Sequence, residues 1–347
     1  MKKLSVLLIA LLLLLNSCSN EYIEYHSAQL YGHNSEKTVS KNDFFFNVEN
    51  VQYREFEMSM TPDKKLLDVL ISKIDNAKKR IYLEVYILTE KRIIKALKDA
   101  KSRWLDVKVI LEKNVYWAWN INRKSSDTLT SSWVSVTFAN NWNYRFTHTK
   151  LFLIDDEYVI STWNMSFSTF STNMEIMLFG KDKKDLSILE EVIDKDIDWE
   201  KFVKCDDSLG ISPSCPRSQF MNSLTSAKKS IYIYAETFDD PAIEALLIQK
   251  DKEWVDVRVL LGDVKKIKSN SAPLTRLKSS WINIIAPKKP YIHAKVFIID
   301  WKFAYVWSIN FSTNSIENNR EIWIIFKNDS IIGKLQNEFL TNFSNKQ

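Results

Sequence analysis

The chain has 347 residues, 45% of them hydrophobic, and a formal net charge of +5. The length leaves about 330 residues beyond an N-terminal leader, which excludes a small module without a core of its own and allows two domains of ordinary size. The lysines fall in separated pairs (Lys64 and Lys65, Lys78 and Lys79, Lys228 and Lys229, Lys288 and Lys289) rather than one block, which fits an anionic substrate without choosing between lipid and nucleic acid.

The chain opens with "MKKLSVLLIALLLLLNSCSN": two lysines, an apolar run from Leu4 to Leu15, then small and polar residues. This predicts a secretory signal over residues 1–17, too short to span a membrane. The segment "LNSC", Leu15 to Cys18, resembles the lipobox of bacterial lipoproteins. That resemblance implies lipidation of Cys18 and an envelope protein tethered to a membrane surface; an ordinary signal with a chance cysteine is the plainer alternative. Residues 18–53 are largely polar and aperiodic, and read as the tether, with His26 and His33 in it.

A tandem duplication follows. "NAKKRIYLEVYILT" from Asn76 aligns with "SAKKSIYIYAETFD" from Ser226, and "RWLDVKVILE" from Arg103 with "EWVDVRVLLG" from Glu253, both at an offset of 150 residues. The duplication divides the chain into an N-terminal lobe, 54–204, and a C-terminal lobe, 205–347. In the first, Thr61 and Pro62 predict a helix start, with Leu66, Leu67, Leu70, Ile74 and Ala77 as its apolar stripe. A strand over Ile81 to Leu88, a helix from Glu90 to Arg103 and a strand over Val107 to Leu111 are expected next. Alternating strands and helices imply an α/β sandwich with a mixed or largely parallel sheet in each lobe. Two such lobes about a pseudo-twofold axis can bring matching residues to one cleft, and a monomer is expected.

Two of the four histidines stand in matched settings: "HTKLFLIDD" from His148 and "HAKVFIIDW" from His293. Each gives His-x-Lys and then Asp after four residues: His148, Lys150, Asp155 and His293, Lys295, Asp300. Side chains alternate on a strand, so the His and Lys of each set project from one face. An imidazole can attack phosphorus or protonate a leaving oxygen, and a neighbouring ammonium supplies fixed charge to phosphate oxygens. Downstream, "STWNMSFSTFSTNME" ends at Glu175 and "VWSINFSTNSIENNRE" at Glu321, two carboxylates able to hold the imidazoles in a working tautomer. Asp155 and Asp300 are candidate site residues too, although a hairpin turn is the favoured reading for both.

These motifs resemble the phospholipase D superfamily with its two HKD motifs, from about Arg54 to Asn342, and "NNREI" is the family's usual sequel to the second motif. The resemblance implies a phosphodiesterase that needs no metal or cofactor and works through a phosphohistidine. It implies attack by His148, proton transfer by His293, and phosphate binding by Lys150, Lys295 and Asn310. Aligning Trp163 with Trp307 sets Ser166 opposite Asn310 and Asn164 opposite Ser308, leaving the first lobe's phosphate ligand open between Asn164 and Ser166. Membrane phospholipid is the expected substrate. Nucleic acid is the second choice, and a non-catalytic lipid-binding envelope protein the third.

Cys205 and Cys215 are expected to form a disulfide in an exported protein, with two buried thiols as the alternative, and no histidine beside them suggests zinc. Twelve tryptophans against five glycines invert the usual ratio, since average usage gives roughly 24 glycines in such a length. Trp104 and Trp254 follow helices, Trp133 and Trp281 precede strands, Trp163 and Trp307 open the polar turns, and Trp301 follows Asp300 in a hairpin. These are glycine positions, and the pattern points to UGA codons that the source organism reads as glycine; genuine tryptophans that stack on a ligand are the alternative.

Overall fold

A computed structural model describes residues 48–344 apart from 117, 207 and 216. The expected signal, Cys18, most of the tether, His26 and His33 lie outside the described residues. No helix among the described residues is long and apolar enough to cross a membrane.

The first half supplies strands β1 (Phe56–Thr61), β2 (Arg80–Val85), β3 (Asp106–Leu111), β4 (Ser135–Phe138), β5 (Lys150–Ile154), β6 (Glu157–Ser161) and β7 (Asn173–Gly180). The second supplies β8 (Leu209–Ser212), β9 (Ser230–Ala235), the short β10 (Phe238–Asp239), β11 (Asp256–Leu261), β12 (Asn283–Ile285), β13 (Tyr291–Ile292), β14 (Val296–Ile299), β15 (Phe303–Trp307), the short β16 (Phe311–Ser312) and β17 (Glu321–Phe326). The sheets run β1-β7-β6-β5-β2-β3-β4 and β8-β17-β15-β14-β9-β11-β12, the same order in both halves. In each, a central strand is parallel to one neighbour (β2 with β3, β9 with β11) and antiparallel to the hairpin on its other side. The expected pair of α/β lobes with mixed sheets is therefore observed.

Helix starts follow local capping chemistry. Asp63 accepts from the Lys65 N–H, Glu90 from Arg92, Asp182 from Lys184 and Asp185, and Asp240 from Ala242 and Ile243. The first helix thus starts after Asp63, not at Thr61. Thr61 closes β1 and donates its hydroxyl to the Asn173 carbonyl at 2.8 Å.

Strand alternation sends Leu151, Leu153, Val296 and Ile298 into one shared core, packed with Leu189 and Ile193 of the Lys183–Ile197 helix and Leu335 and Phe339 of the Asp329–Ser344 helix. Phe152 faces the opposite layer, under the Lys64–Asn76 and Lys91–Ser102 helices. Each such Leu or Ile stabilises the fold by about 1.5–3 kcal/mol. A polar knot crosses between the halves. The buried Arg320 guanidinium donates to Asp196 at 2.8 and 2.9 Å and to the Tyr144 hydroxyl. Burial pushes the Asp196 carboxyl up, and burial together with the Asp196 charge pushes buried Glu84 well above the usual carboxylate range. Asp196→Ala takes from the buried guanidinium the carboxylate it is bonded to, leaving it the Tyr144 hydroxyl and the Ser212 carbonyl, and is expected to cost about 3–5 kcal/mol in urea unfolding. A loss below about 1 kcal/mol, the range of surface pairs, would contradict the knot's role.

Six tryptophans adopt left-handed backbone: Trp104 (φ 70°), Trp133 (64°), Trp199 (60°), Trp254 (66°), Trp281 (67°) and Trp301 (62°). Trp104, Trp199, Trp254 and Trp281 come directly after a helix's C-cap residue, the position where glycine is favoured. Trp301 follows Asp300, itself at φ 51°, in the β14–β15 hairpin. Trp163 and Trp307 differ. Neither has positive φ, and both indoles are fully buried in the apolar core. Trp307 sits among Phe220, Phe297 and Phe311 and Trp163 against Phe170, and the N–H group of each indole lacks a partner. Cys205 and Cys215 form a disulfide with their Cα atoms 5.0 Å apart.

Candidate active site

Each His-x-Lys segment leads into the middle strand of its sheet, β5 or β14, so His and Lys share a face. The Nδ1 of His148 lies 2.9 and 3.0 Å from the carboxylate oxygens of Glu321, and the Nδ1 of His293 lies 2.7 Å from Glu175. Each imidazole is therefore held by the carboxylate of the other half.

Backbone pairing enforces this exchange. β13 runs parallel to β7, with Tyr291 opposite Asn173, and Thr147 bridges to Arg320. The His148 N–H donates to the Arg320 carbonyl at 2.8 Å, and those of His293 and Ala294 to the Met174 carbonyl at 3.2 and 2.8 Å. The acceptor carboxylates are fixed in turn. The Asn319 amide donates to Glu321 at 3.1 Å, the Asn173 amide to Glu175 at 3.1 Å, and the Thr162 hydroxyl to Glu175 at 2.7 Å. With Nδ1–H donated to a carboxylate, the lone pair of a neutral imidazole is left on Nε2.

Both lysines curl back onto their own motif, donating to the His148 and His293 carbonyls at 2.6 Å. Their wider surroundings differ. Lys295 donates to Glu236 at 2.7 Å, and the same oxygen lies 3.3 Å from the Nε2 of His293. The Tyr291 hydroxyl donates to the other Glu236 oxygen at 3.3 Å. At the matching place in the first half stands Tyr86, edge-on to His148 with ring centroids 4.7 Å apart. Its oxygen accepts the Tyr116 N–H at 2.7 Å. No carboxylate pairs with Lys150 among the described residues.

The protonation landscape is correspondingly uneven. Burial holds the His148 imidazole below its ordinary value despite the opposing pull of Glu321. Burial lowers Lys150 to about 7, again against Glu321. For Glu236, burial pushes upward, but the charges of His293 and Lys295 outweigh it and hold the carboxyl at about 2. Lys295 also acts on both His148 and Lys150, and His148 on Glu236, so the two halves share one electrostatic neighbourhood.

Asp155 and Asp300 are not brought to this cluster. A strand of about 13–17 Å separates each from its histidine, and each carboxylate is spent on backbone. Asp155 accepts from the N–H groups of Lys78, Lys79 and Arg80, and Asp300 from those of Lys228, Lys229 and Ser230, at 2.6–3.0 Å. They staple the hairpins to the preceding helix–strand turns, which removes them from the chemical group.

The Trp163–Trp307 alignment is also corrected. Thr162 donates its N–H to Ile176 and Ser308 to Ile322, while Ser166 donates to the Asn164 carbonyl and Ser312 to that of Asn310. Thr162 thus matches Ser308, and Asn164 matches Asn310. The side-chain oxygens of both asparagines are buried without a hydrogen-bond partner. Ser308 is occupied by the Ile322 backbone, and Ser166 sits at the start of the Phe167–Ser171 helix against Ser168 and Thr169. Asn164 and Asn310 remain as the matched phosphate candidates. No group of three or more His, Cys, Asp or Glu arranged to hold a metal occurs among the described residues.

Sequence reasoning missed Asn173, Asn319, Thr162, Tyr86, Tyr291 and Glu236. The first two carried a signal, a matched Asn-x-Glu in each half. Glu236 carried the opposite kind, a place where the repeat breaks.

The family profile described as "Cardiolipin synthase, PLD-like domain" matches residues 70–197 and 220–342. The chain belongs to this family. Over 128 residues this PLD-like protein is 36% identical to cardiolipin synthase 1 of Staphylococcus aureus (strain COL), covering 34% of the chain and 25% of that protein. It is 32% identical over 127 residues to a phospholipase D of Rickettsia conorii, covering 36% of the chain and 61% of the relative. The matches thus span less than two thirds of either relative's length. Among solved structures, phosphatidylserine synthase of Haemophilus influenzae superposes with a TM-score of 0.63 at 12% identity, over 85% of this chain and 88% of that one, a likeness of fold.

Proposed function

We propose that this PLD-like protein is a phosphodiesterase that cleaves membrane phospholipids, passing the phosphatidyl group through His148 to water or to an alcohol. The crossed pairing of each imidazole with the other half's carboxylate carries this reading, supported by the action of Lys295 on both His148 and Lys150. His148, with Nδ1–H directed to Glu321 and its basicity lowered by burial, is the neutral nucleophile. Its Nε2 forms a bond to phosphorus as the phosphorus–oxygen bond to the head group breaks. His293 has a carboxylate facing each ring nitrogen, Glu175 at Nδ1 and Glu236 at Nε2, and supplies the proton to the departing oxygen. It then takes a proton from the incoming water or alcohol, whose oxygen bonds to phosphorus as the histidine leaves. Lys150, Lys295, Asn164 and Asn310 hold the phosphate oxygens.

The lysine at about 7 makes a pH prediction. As pH rises through that value Lys150 loses the charge that recruits the phosphate, so kcat/KM is expected to fall above about pH 7–8. Lys150→Arg, whose charge persists, should flatten that limb, and a wild-type profile flat to pH 9 would contradict the assignment. Substrate class is tested by offering phospholipid micelles and plasmid DNA in parallel. Released head groups with intact DNA support the reading; nicked DNA with intact lipid would place the protein with nucleases. Placement in the cell envelope rests on the leader and Cys18, and radiolabelled palmitate incorporation lost in Cys18→Ser tests it.

A further inference from the structure

Glu236 is the feature that the duplicated scheme leaves unexplained. The fold does not need a carboxylate on this lysine, since the matching Lys150 has none and Tyr86 fills the equivalent place. Nor does His293 need it for orientation, because Glu175 already holds its Nδ1 at 2.7 Å. Glu236 instead faces Nε2, the nitrogen that meets the departing alcohol, and its side chain remains 15% exposed. A fixed negative charge beside Nε2 repels phosphate oxygens, which leaves that carboxylate oxygen for the alcohol.

We propose that Glu236 selects the head group, accepting a hydrogen bond from a hydroxyl or ammonium carried on the carbon next to the esterified one. The inference rests on the phospholipid reading above. The departing oxygen lies at the His293 Nε2, so a donor one carbon further along reaches a carboxylate oxygen 3.3 Å from that nitrogen. Lys295 and Tyr291 hold that carboxylate in place. Glycerol-type and ethanolamine-type head groups carry such a donor, and a methyl ester carries none.

The test compares kcat/KM on mixed detergent micelles carrying phosphatidylglycerol, phosphatidylethanolamine or phosphatidylmethanol. The wild-type protein is expected to favour at least one of the first two over the third by about tenfold or more, and Glu236→Leu to reduce that preference to within about twofold. Glu236→Gln separates the sources: it keeps an acceptor for a hydroxyl, and so retains part of a glycerol preference, but loses the charge that favours an ammonium. Should Glu236→Leu not fold, Glu236→Asp, which withdraws the carboxylate by one methylene, is expected to cut the preference at least about threefold. A preference that survives these substitutions overturns the inference. So does equal cleavage of all three lipids by the wild-type protein, which leaves the phospholipid reading standing. Failure to cleave any of them removes that reading and this inference together.

Discussion

His148→Ala is expected to lower phospholipid turnover by roughly three orders of magnitude or more, the scale on which removing a covalent nucleophile acts. The reason is local. The His148 imidazole is held at Nδ1 by two carboxylate oxygens, and among the described residues nothing matches it except His293, which faces Glu236 at Nε2 and is set up to carry a proton. Water can replace a proton donor more readily than it can replace a nucleophile that forms a covalent intermediate. His293→Ala is therefore expected to keep some turnover with a head group that leaves as a weak base, such as p-nitrophenol. Comparing p-nitrophenyl and glycerol esters checks this. Rescue by the better leaving group in His293→Ala but not in His148→Ala is the expected result, and rescue in His148→Ala alone would exchange the two roles.

Replacing Trp104, Trp133, Trp199, Trp254, Trp281 and Trp301 together by glycine is expected to stabilise the protein strongly. All six sit at φ between 60° and 70°, where a β-carbon crowds the backbone at about 1 kcal/mol or more per residue. Trp104, Trp133, Trp254 and Trp281 also expose most of an indole to water, so little packing is lost in exchange. The gain summed over the six sites is roughly 6 kcal/mol, and a rise in Tm of more than about 10 °C in a thermal melt checks it. An unchanged or lower Tm would show that the indoles contribute contacts outweighing the strain. The codons give an independent check: UGA at these positions fits a source organism that decodes it as glycine, and UGG at most of them would end that explanation. Trp323 stands apart from the six. Its N–H donates to Gln219 at 2.9 Å, and its ring fills the space above Gly210 on the neighbouring strand.

Much of the architecture was legible because the chain states it twice. The repeated strand and helix patterns, matched from Asn76 to Ser226, specify two sheets of one order, and the positive φ values fall where tryptophan stands in glycine's usual places. The exchange of carboxylates between halves was not legible, since it depends on β13 reaching β7 across the molecule and not on any local pattern. Asn164 and Asn310 do not align when Trp163 is set against Trp307, because the backbone bonds match Thr162 with Ser308, two residues away from that register. The one extra turn residue of the β14–β15 hairpin accounts for only one of the two. Glu236 was not legible from the repeat, because Tyr86 stands at the matching position of the first half and the two halves differ there.

The most direct measurement is a rapid acid-free quench of the His293→Ala protein mixed with the p-nitrophenyl ester of phosphatidic acid, radiolabelled in the phosphate, followed by peptide mapping. This leaving group departs without a proton while the group that activates water is missing, so the phosphatidyl-enzyme should accumulate, with an acid-labile label on the peptide containing His148. Absence of label while head group is released, or label on another residue, would contradict an account built on two interlocked halves serving a single phosphorus.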